Sequence, residues 1–127
     1  MSTKQVIVIR RDLKMRRGKE IAQGAHASMA ALLRGFELHP DGSATLPLWP
    51  EARAWLDGAF TKITVKVNSE DELLAVRDAA EEAGIACALI QDAGRTEFNG
   101  VPTYTALAVG PATAEQLAPI TGDLKLY

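Results

Sequence analysis

The stretch Gln5-Val6-Ile7-Val8-Ile9-Arg10 decides the fold of this chain. It is continuous, apolar and rich in β-branched residues, which is typical of a strand that is buried on both faces of a sheet. Segments with helical periodicity alternate with further strand-like runs in the rest of the chain. This alternation favours an α/β fold, with helices packed against a sheet.

A long helix is predicted to follow this strand, from about residue 18 to residue 36. Its apolar residues recur at intervals of three and four, so this side of the helix is expected to pack inward; it carries Ile21, Ala25, Met29, Leu32 and Phe36. Alternation, capping residues and turn glycines give the remaining elements: a helix at 51–56, a strand at 62–67, a helix at 70–83, strands at 86–91 and 103–109, a short helix after Thr113, and a tail at 123–127 that is either irregular or an edge strand.

Two helical connections join the first three strands, which predicts that these strands run parallel. The fourth strand follows a loop without a helix and is predicted to be antiparallel. We therefore expect a single α/β domain over residues 1–127, with a mixed four-stranded sheet (three parallel strands, one antiparallel) and helices on both faces. Ligands bind outside the carboxyl ends of parallel strands, and the loops at 11–18 and 92–102 leave from such ends.

The composition is that of an ordinary globular protein, with 47% hydrophobic and 24% charged residues among 127. No apolar run approaches the roughly 20 residues that span a membrane, and no signal peptide is recognisable. Cys87 is the only cysteine, which excludes an intramolecular disulfide and a cysteine-rich zinc site. These features predict a cytoplasmic protein that does not enter the membrane.

The charge is distributed unevenly along the chain. Seven of the 14 basic residues lie among the first 19 residues, where only Asp12 opposes them, so this segment has a net charge of +6 and the rest of the chain has −8. A local positive field attracts a polyanion even when the whole chain is acidic. A solvated charged surface would show the same pattern.

The basic loop places Arg16 and Arg17 at the start of the long helix. Cations are unfavourable there because the helix dipole is positive at this end, and a bound phosphate would relieve the conflict. We therefore predict phosphate contact, the alternative being that both side chains merely point into water.

Lys19, Gln23 and His26 share one stripe of the predicted helix, within about 60° of each other. An ammonium, an amide and an imidazole on one edge suit a catalytic groove, although His26 is equally compatible with a structural role. Asp92, Arg95 and Glu97 in the second loop suit the orientation of water or the binding of anions. An Asx turn with an Arg95–Glu97 pair would explain the same residues.

Several other chemistries are excluded by the motifs that the chain lacks. There is no GxGxxG sequence, no phosphate-binding P-loop and no GxSxG nucleophile elbow. His26 and His39 have no nearby cysteine partners, so a metal site is not expected. Cys87 lies within an apolar strand and is expected to be packed rather than nucleophilic.

The first strand, the basic loop and the helix together resemble the opening of the type 2 peptidyl-tRNA hydrolases. The matching residues are Val6 to Arg10, Asp12 to Met15, Gly18-Lys19, Ala22-Gln23 and His26-Ala27. The most specific further match is Asp92-Ala93-Gly94-Arg95-Thr96. The resemblance continues in register over nearly the whole chain, through Thr103, Thr105, Leu107, Gly110-Pro111 and Thr121-Gly122.

The resemblance implies a mixed α/β sheet, a homodimer, and hydrolysis of the ester that joins a peptide to the 3′-terminal ribose of tRNA. No metal and no organic cofactor is expected. The residues carried over from the family are Lys19, Asp92 and Thr96, with Lys14, Gln23, His26, Arg95, Thr103 and Thr105 as neighbours.

We expect Asp92 to orient or deprotonate the attacking water, with Thr96 or Thr105 helping to hold it. Lys19 would stabilise the oxyanion or the leaving 3′ oxygen, and His26 is a candidate proton shuttle. Two alternatives without catalysis remain open at this point. One is a tRNA- or RNA-binding module that uses the same groove, and the other is a protein-interaction adaptor that uses Leu46, Leu48 and Trp49.

Overall fold

The computed structural model describes residues 1–95 and 97–127. In chain order its elements are β1 (Thr3–Arg10), a 3₁₀ turn (Arg11–Leu13), α1 (Arg17–Leu32), β2 (Glu37–Leu38), β3 (Ala44–Thr45), α2 (Pro50–Asp57), β4 (Lys62–Val67), α3 (Glu70–Glu82), β5 (Cys87–Asp92), β6 (Thr103–Thr113), α4 (Ala114–Thr121) and β7 (Lys125–Leu126). None of the helices in these residues is long and apolar enough to cross a membrane.

The main sheet has five strands in the order β5-β6-β1-β4-β7, so the predicted four-stranded sheet with three parallel strands is wrong. Only β1 and β4 pair in parallel. β6 pairs antiparallel with both β1 and β5, and β7 pairs antiparallel with β4. β5 does run in the same direction as β1 and β4, but β6 lies between them.

The burial of β6 explains why this strand takes the place next to β1. Its residues 105–112 are all buried, whereas β5 is only partly buried along most of its length. A strand that is apolar on both faces is most stable at the centre of a sheet, and a half-exposed strand suits the edge. A helical connection fixes the direction of a strand but does not fix its neighbour.

One face of the sheet is covered by α3 and α4. Val6, Val8, Val65 and Val67 of the parallel pair form a core with the buried apolar residues of these helices, including Leu73 and Leu117. The two helices begin where the sequence predicts. The side chain of Ser69 accepts a hydrogen bond from the Glu72 N–H, and Thr113 and Gln116 form a complete capping box.

The other face of the sheet carries α1, which packs with the opposite side from the one predicted. Its buried residues are Gln23, Gly24, Ala27 and Ala31, whereas Ile21 is 67% exposed and Met29 is 55% exposed. Small residues let the helix approach the sheet closely: a Cβ added to Gly24 would lie 3.4 Å from the Cγ2 atom of Ile7. The positions of the large apolar residues therefore predict the wrong side of α1 as the buried one.

The helix also ends earlier than predicted, at Leu32 instead of Phe36. Gly35 follows with a φ of +75°, a conformation that suits glycine and turns the chain out of the helix. Phe36 consequently lies outside α1 and is 45% exposed.

Candidate active site

The start of α1 and the carboxyl end of β5 meet through a contact between Lys19 and Asp92. The Nζ atom of Lys19 donates to Oδ1 of Asp92 at 2.8 Å. Only 17% of the lysine side chain and 13% of the aspartate side chain are exposed. The predicted convergence of the two loops is therefore confirmed for this pair.

Asp92 is held as a carboxylate by its neighbours. The hydrogen bond from Lys19 lowers the pKa of Asp92 below its ordinary value of 3.8, and burial of the carboxyl opposes this shift. The N–H group of Gly94 donates to the second oxygen at 2.8 Å and also lowers the pKa, as do the charges of Lys19 and His26. Asp92 is accordingly ionised at neutral pH, and both of its oxygens have defined positions.

Gly94 is required by the fold of this loop. It has a φ of +83°, and a Cβ at this position would lie 2.3 Å from the carbonyl oxygen of Val101. The Gly94 carbonyl accepts a hydrogen bond from the Gly100 N–H at 2.9 Å. The loop folds back on itself through this close approach, which directs the Gly94 N–H at Asp92.

A second polar pair lies next to Lys19 on the inner side of α1. The hydroxyl of Thr105 on β6 donates to the Oε1 atom of Gln23. Both residues are buried, at 0% and 4% exposure. The bond fixes α1 against β6 one turn beyond Lys19, and so sets the position of the helix that carries the ammonium group.

Arg16 and Glu97 link the basic loop to the second loop. The Nε atom of Arg16 donates to Oε1 of Glu97 at 2.9 Å, so Glu97 is paired with Arg16, whereas the alternative explanation of this loop paired it with Arg95. Lys14, Arg17 and Arg95 are exposed. Met15 is buried and anchors the basic loop, and Arg16 ties this loop to the segment that follows Asp92.

The remaining predicted site residues lie around this pair. Thr103 is the cross-strand partner of Asp92, and its hydroxyl donates to the Val101 carbonyl at 2.8 Å. His26 is exposed and close enough for its charge to act on Asp92. Thr96 was predicted to be catalytic and lies outside the described residues. No group of three His, Cys, Asp or Glu side chains in residues 1–95 and 97–127 is arranged to hold a metal ion.

Comparison with protein families gives a match over residues 3–127 to the family described as "Peptidyl-tRNA hydrolase PTH2". The chain belongs to this family.

Curated relatives named as peptidyl-tRNA hydrolases support the same assignment. A protein from Methanocaldococcus jannaschii is 41% identical over 123 residues, covering 97% of this chain and 98% of its own. One from Halobacterium salinarum is 44% identical over 125 residues, covering 98% and 99%. A solved structure of an Agrobacterium protein of unknown function shares the fold, with a TM-score of 0.61, 12% identity and coverage of 100% and 98%.

One buried charged residue next to the basic loop was not singled out from the sequence. Arg10 is 8% exposed, and its guanidinium binds both oxygens of Asp12, at 3.2 and 2.7 Å. It also donates to the carbonyl of Tyr104 at 3.0 Å. Arg10 therefore joins the basic loop to the start of β6, between Thr103 and Thr105. The sequence did carry a signal for a buried Arg10–Asp12 ion pair: an arginine ends an apolar strand, and an aspartate follows two residues later.

Proposed function

We propose that this chain hydrolyses the ester between a peptide and the 3′-terminal ribose of tRNA, using the Lys19–Asp92 pair as its catalytic centre. The observation that carries the proposal is the 2.8 Å contact between an ammonium and a carboxylate, which lies among the cations of the basic loop. Ester hydrolysis needs a positioned water and a positive group near the developing oxyanion, and this pair supplies both.

Asp92 orients the attacking water and accepts its proton as the water oxygen bonds to the ester carbon. Because the pKa of Asp92 is lowered, the carboxylate is a weak base that is always in the required ionised form. Proton transfer is then most favourable late, when the water oxygen has already bonded to carbon. His26, which is exposed on α1, is the group proposed to carry the proton onward to solvent or to the leaving group.

Lys19 donates to the oxyanion or to the departing 3′ oxygen, so that negative charge develops next to a fixed cation. The products are a peptide carboxylate and a tRNA with a free 3′ hydroxyl. Gln23 and Thr105 hold α1 at the distance that this requires. Thr96 is proposed as a further group that holds the water, because it belongs to the family motif that begins at Asp92.

The basic loop and Arg95 bind the phosphates of the acceptor end. The segment has a net charge of +6 over the first 19 residues, and the side chains of Lys14, Arg16 and Arg17 are exposed. We infer that a polyanion held by this loop has its ester within reach of Asp92, because Arg16 pairs with Glu97 of the second loop. No metal ion enters the proposed mechanism.

We also propose that two copies of the chain associate, as the family resemblance implies, through an apolar patch at the carboxyl end of α1. Met29, Phe36 and Leu38 are 55%, 45% and 75% exposed. These three side chains belong to a short stretch of the chain, exposed apolar surface is typical of a contact surface, and a symmetric pair uses the same patch from each copy. Recycling of tRNA is a step of translation, so we place the activity in the cytoplasm.

Hydrolysis of an N-acetylaminoacyl-tRNA by Lys19→Ala and Asp92→Asn variants tests the proposed centre. Each substitution is expected to lower kcat by at least about 100-fold, the usual effect of losing a group that stabilises the transition state. Arg53→Ala and Asp57→Asn are matched controls, since this ion pair is exposed on α2, and they should leave kcat unchanged. Normal turnover by a folded Lys19→Ala or Asp92→Asn protein would remove that residue from the mechanism.

The relatives favour this hydrolase over the two alternatives without catalysis. A binding module would bind tRNA as tightly as the hydrolase does and would release no peptide. Comparing the N-acetylaminoacyl-tRNA with its free-amine form also reports whether a blocked amino group is required.

A further inference from the structure

An open groove lies on the side of α1 that faces away from the Lys19–Asp92 pair. It has a volume of about 420 Å³, and its floor and wall are formed by Ile7 and Ile9 of β1, Thr64 of β4, and Ile21 and Ala25 of α1. The 67% exposure of Ile21 belongs to this groove. A volume of this size suits a small ligand, and its apolar walls suit a planar one.

The rim of the groove carries an aromatic ring and two arginines. Tyr127 and Arg17 line it, and the guanidinium of Arg11 lies 4.9 Å from the centre of the Tyr127 ring. The hydroxyl of Tyr127 donates to the carboxylate of Glu20, and this bond is the main reason that the pKa of Tyr127 is raised. The ring is thereby held in place, with its hydroxyl protonated.

The chemistry of this rim matches a nucleotide better than a peptide or a lipid. Bases of single-stranded RNA are recognised by stacking on aromatic rings and on arginine planes, with cations on the neighbouring phosphates. The Glu20 carboxylate is an acceptor for the amino groups on the edge of a base. Apolar walls, an arginine–tyrosine stack and a second arginine occur here within a single groove.

The groove is close enough to the ester site to receive part of the same substrate. The groove lies over β1 and β4, whereas Asp92 is the last residue of β5. In the order of the sheet β5 is two strands away from β1 and three strands away from β4, and neighbouring strands are about 4.8 Å apart. Glu20 at the rim follows Lys19 directly on α1. Both sites lie towards the carboxyl ends of strands that run in the same direction.

We propose that this groove binds an unstacked nucleotide from the single-stranded 3′ end of tRNA, with the base between α1 and the sheet and the phosphate at Arg11 and Arg17. This inference rests on the proposed hydrolysis of peptidyl-tRNA. It adds a second recognition site, separate from the centre that reacts with the ester.

Filling the groove tests the proposal without touching the ester site. Ala25 is exposed on α1, so Ala25→Trp should fold and occupy the groove; Ala83→Trp, at an exposed position after α3 on the opposite face of the sheet, is the matched control. We expect Ala25→Trp to raise the KM for N-acetylaminoacyl-tRNA about tenfold, the scale of losing one stacked base, with kcat unchanged. Hydrolysis of the N-acetylaminoacyl ester of adenosine alone should be unaffected in both variants.

Tyr127→Ala removes the stacking ring and should change the KM in the same direction. Equal losses on the tRNA and on the adenosine ester, an unchanged KM for the tRNA, or a change in oligomeric state in place of a change in KM would each overturn the proposal. The last result would show that a second copy covers the groove.

Binding measurements separate a failure of this inference from a failure of the proposed function. The wild type should bind intact tRNA more tightly than tRNA that lacks its last four nucleotides, and Ala25→Trp should bind both equally. A wild type that hydrolyses neither substrate contradicts the proposed function. A wild type that hydrolyses both, but whose tRNA affinity does not depend on the groove, contradicts only the inference drawn here.

Discussion

The Asp92 carboxylate owes its ionisation chiefly to one neighbour, which gives a prediction at the scale of the single residue. Removal of the ammonium by Lys19→Ala should raise the pKa of Asp92, because the largest cause of its lowering is lost and the burial that raises it remains. The measurement is a carbon-13 titration of the carboxyl group. A pKa that is the same in both proteins would show that Gly94 alone sets it.

The lowered pKa also fixes the direction of a pH effect on stability. Asp92 has a pKa of about 3.9 in the unfolded protein and a lower pKa in the folded protein. Its contribution to stability is therefore fully present above the unfolded pKa and is lost as the pH falls through the folded pKa. Between pH 5 and 8 its charge does not change. A fall in kcat/KM within that range must then come from another group.

Arg10 gives a second prediction at this scale. Asp12→Ala removes the closer of two carboxylates from a buried guanidinium and leaves only Glu70, at 3.9 Å, which should lower the free energy of unfolding by about 1–3 kcal/mol. Asp78→Ala is the control, since its ion pair with Arg77 is more exposed, with 68% of the Asp78 side chain accessible. Loss of this pair should lower the free energy of unfolding by about 0.5 kcal/mol or less. Urea denaturation measures both changes, and equal losses would show that the Arg10 pair is no more valuable than a surface pair.

The loop that follows β5 gives a prediction at the scale of the element. Gly94 and Gly100 both have positive φ values, of +83° and +78°, but only at Gly94 would a Cβ meet the backbone of Val101. Gly94→Ala should therefore lower both the thermal midpoint and kcat, by about tenfold or more in kcat, because it displaces the N–H group that holds Asp92. Gly100→Ala should show only the smaller cost of the strained φ, about 1–2 kcal/mol.

Similar effects of these two substitutions would contradict the view that the loop closes through the contact between Gly94 and Val101. A thermal melt and a turnover assay on each variant decide the matter.

The sequence predicted elements better than it predicted how they pack. β4 spans Lys62–Val67 as expected, because alternation and flanking turns are local signals. The position of β6 between β1 and β5 depends on burial across the whole sheet, which no local pattern encodes. The buried side of α1 was missed because Gly24, Ala27 and Ala31 give a weak hydrophobic signal but permit the closest approach to β1.

The candidate site was easier to predict than the packing. The stripe that carries Lys19 and Gln23, and the loop that carries Asp92, both follow strands that end at the same edge, so their meeting depends only on strand direction. Arg10 was overlooked because an arginine at the end of a strand is usually exposed. Its burial depends on Asp12 and on the Tyr104 carbonyl, which lies 94 residues away along the chain.

The proposed association of two copies gives a prediction at the scale of the whole molecule. Met29→Lys together with Leu38→Lys should convert the assembly to single chains, because it places charges where apolar side chains would meet. Sedimentation velocity measures the change. Leu56→Lys, at an exposed position of α2, is the control and should leave the assembly intact. A wild type that sediments as a single chain at every concentration would contradict the proposal.

The central position of β6 has a consequence for the order in which the molecule assembles. β1 is completed at residue 10, but its two neighbours are β4 and β6, and the second of these begins only at Thr103. The proposed catalytic pair likewise joins residue 19 to residue 92. During synthesis the pairing of β1 can therefore be completed only after most of the chain has been made. Contacts between residues so distant in sequence slow folding. A ribosome-bound fragment that stops before β6 should lack hydrolase activity even though it contains both Lys19 and Asp92.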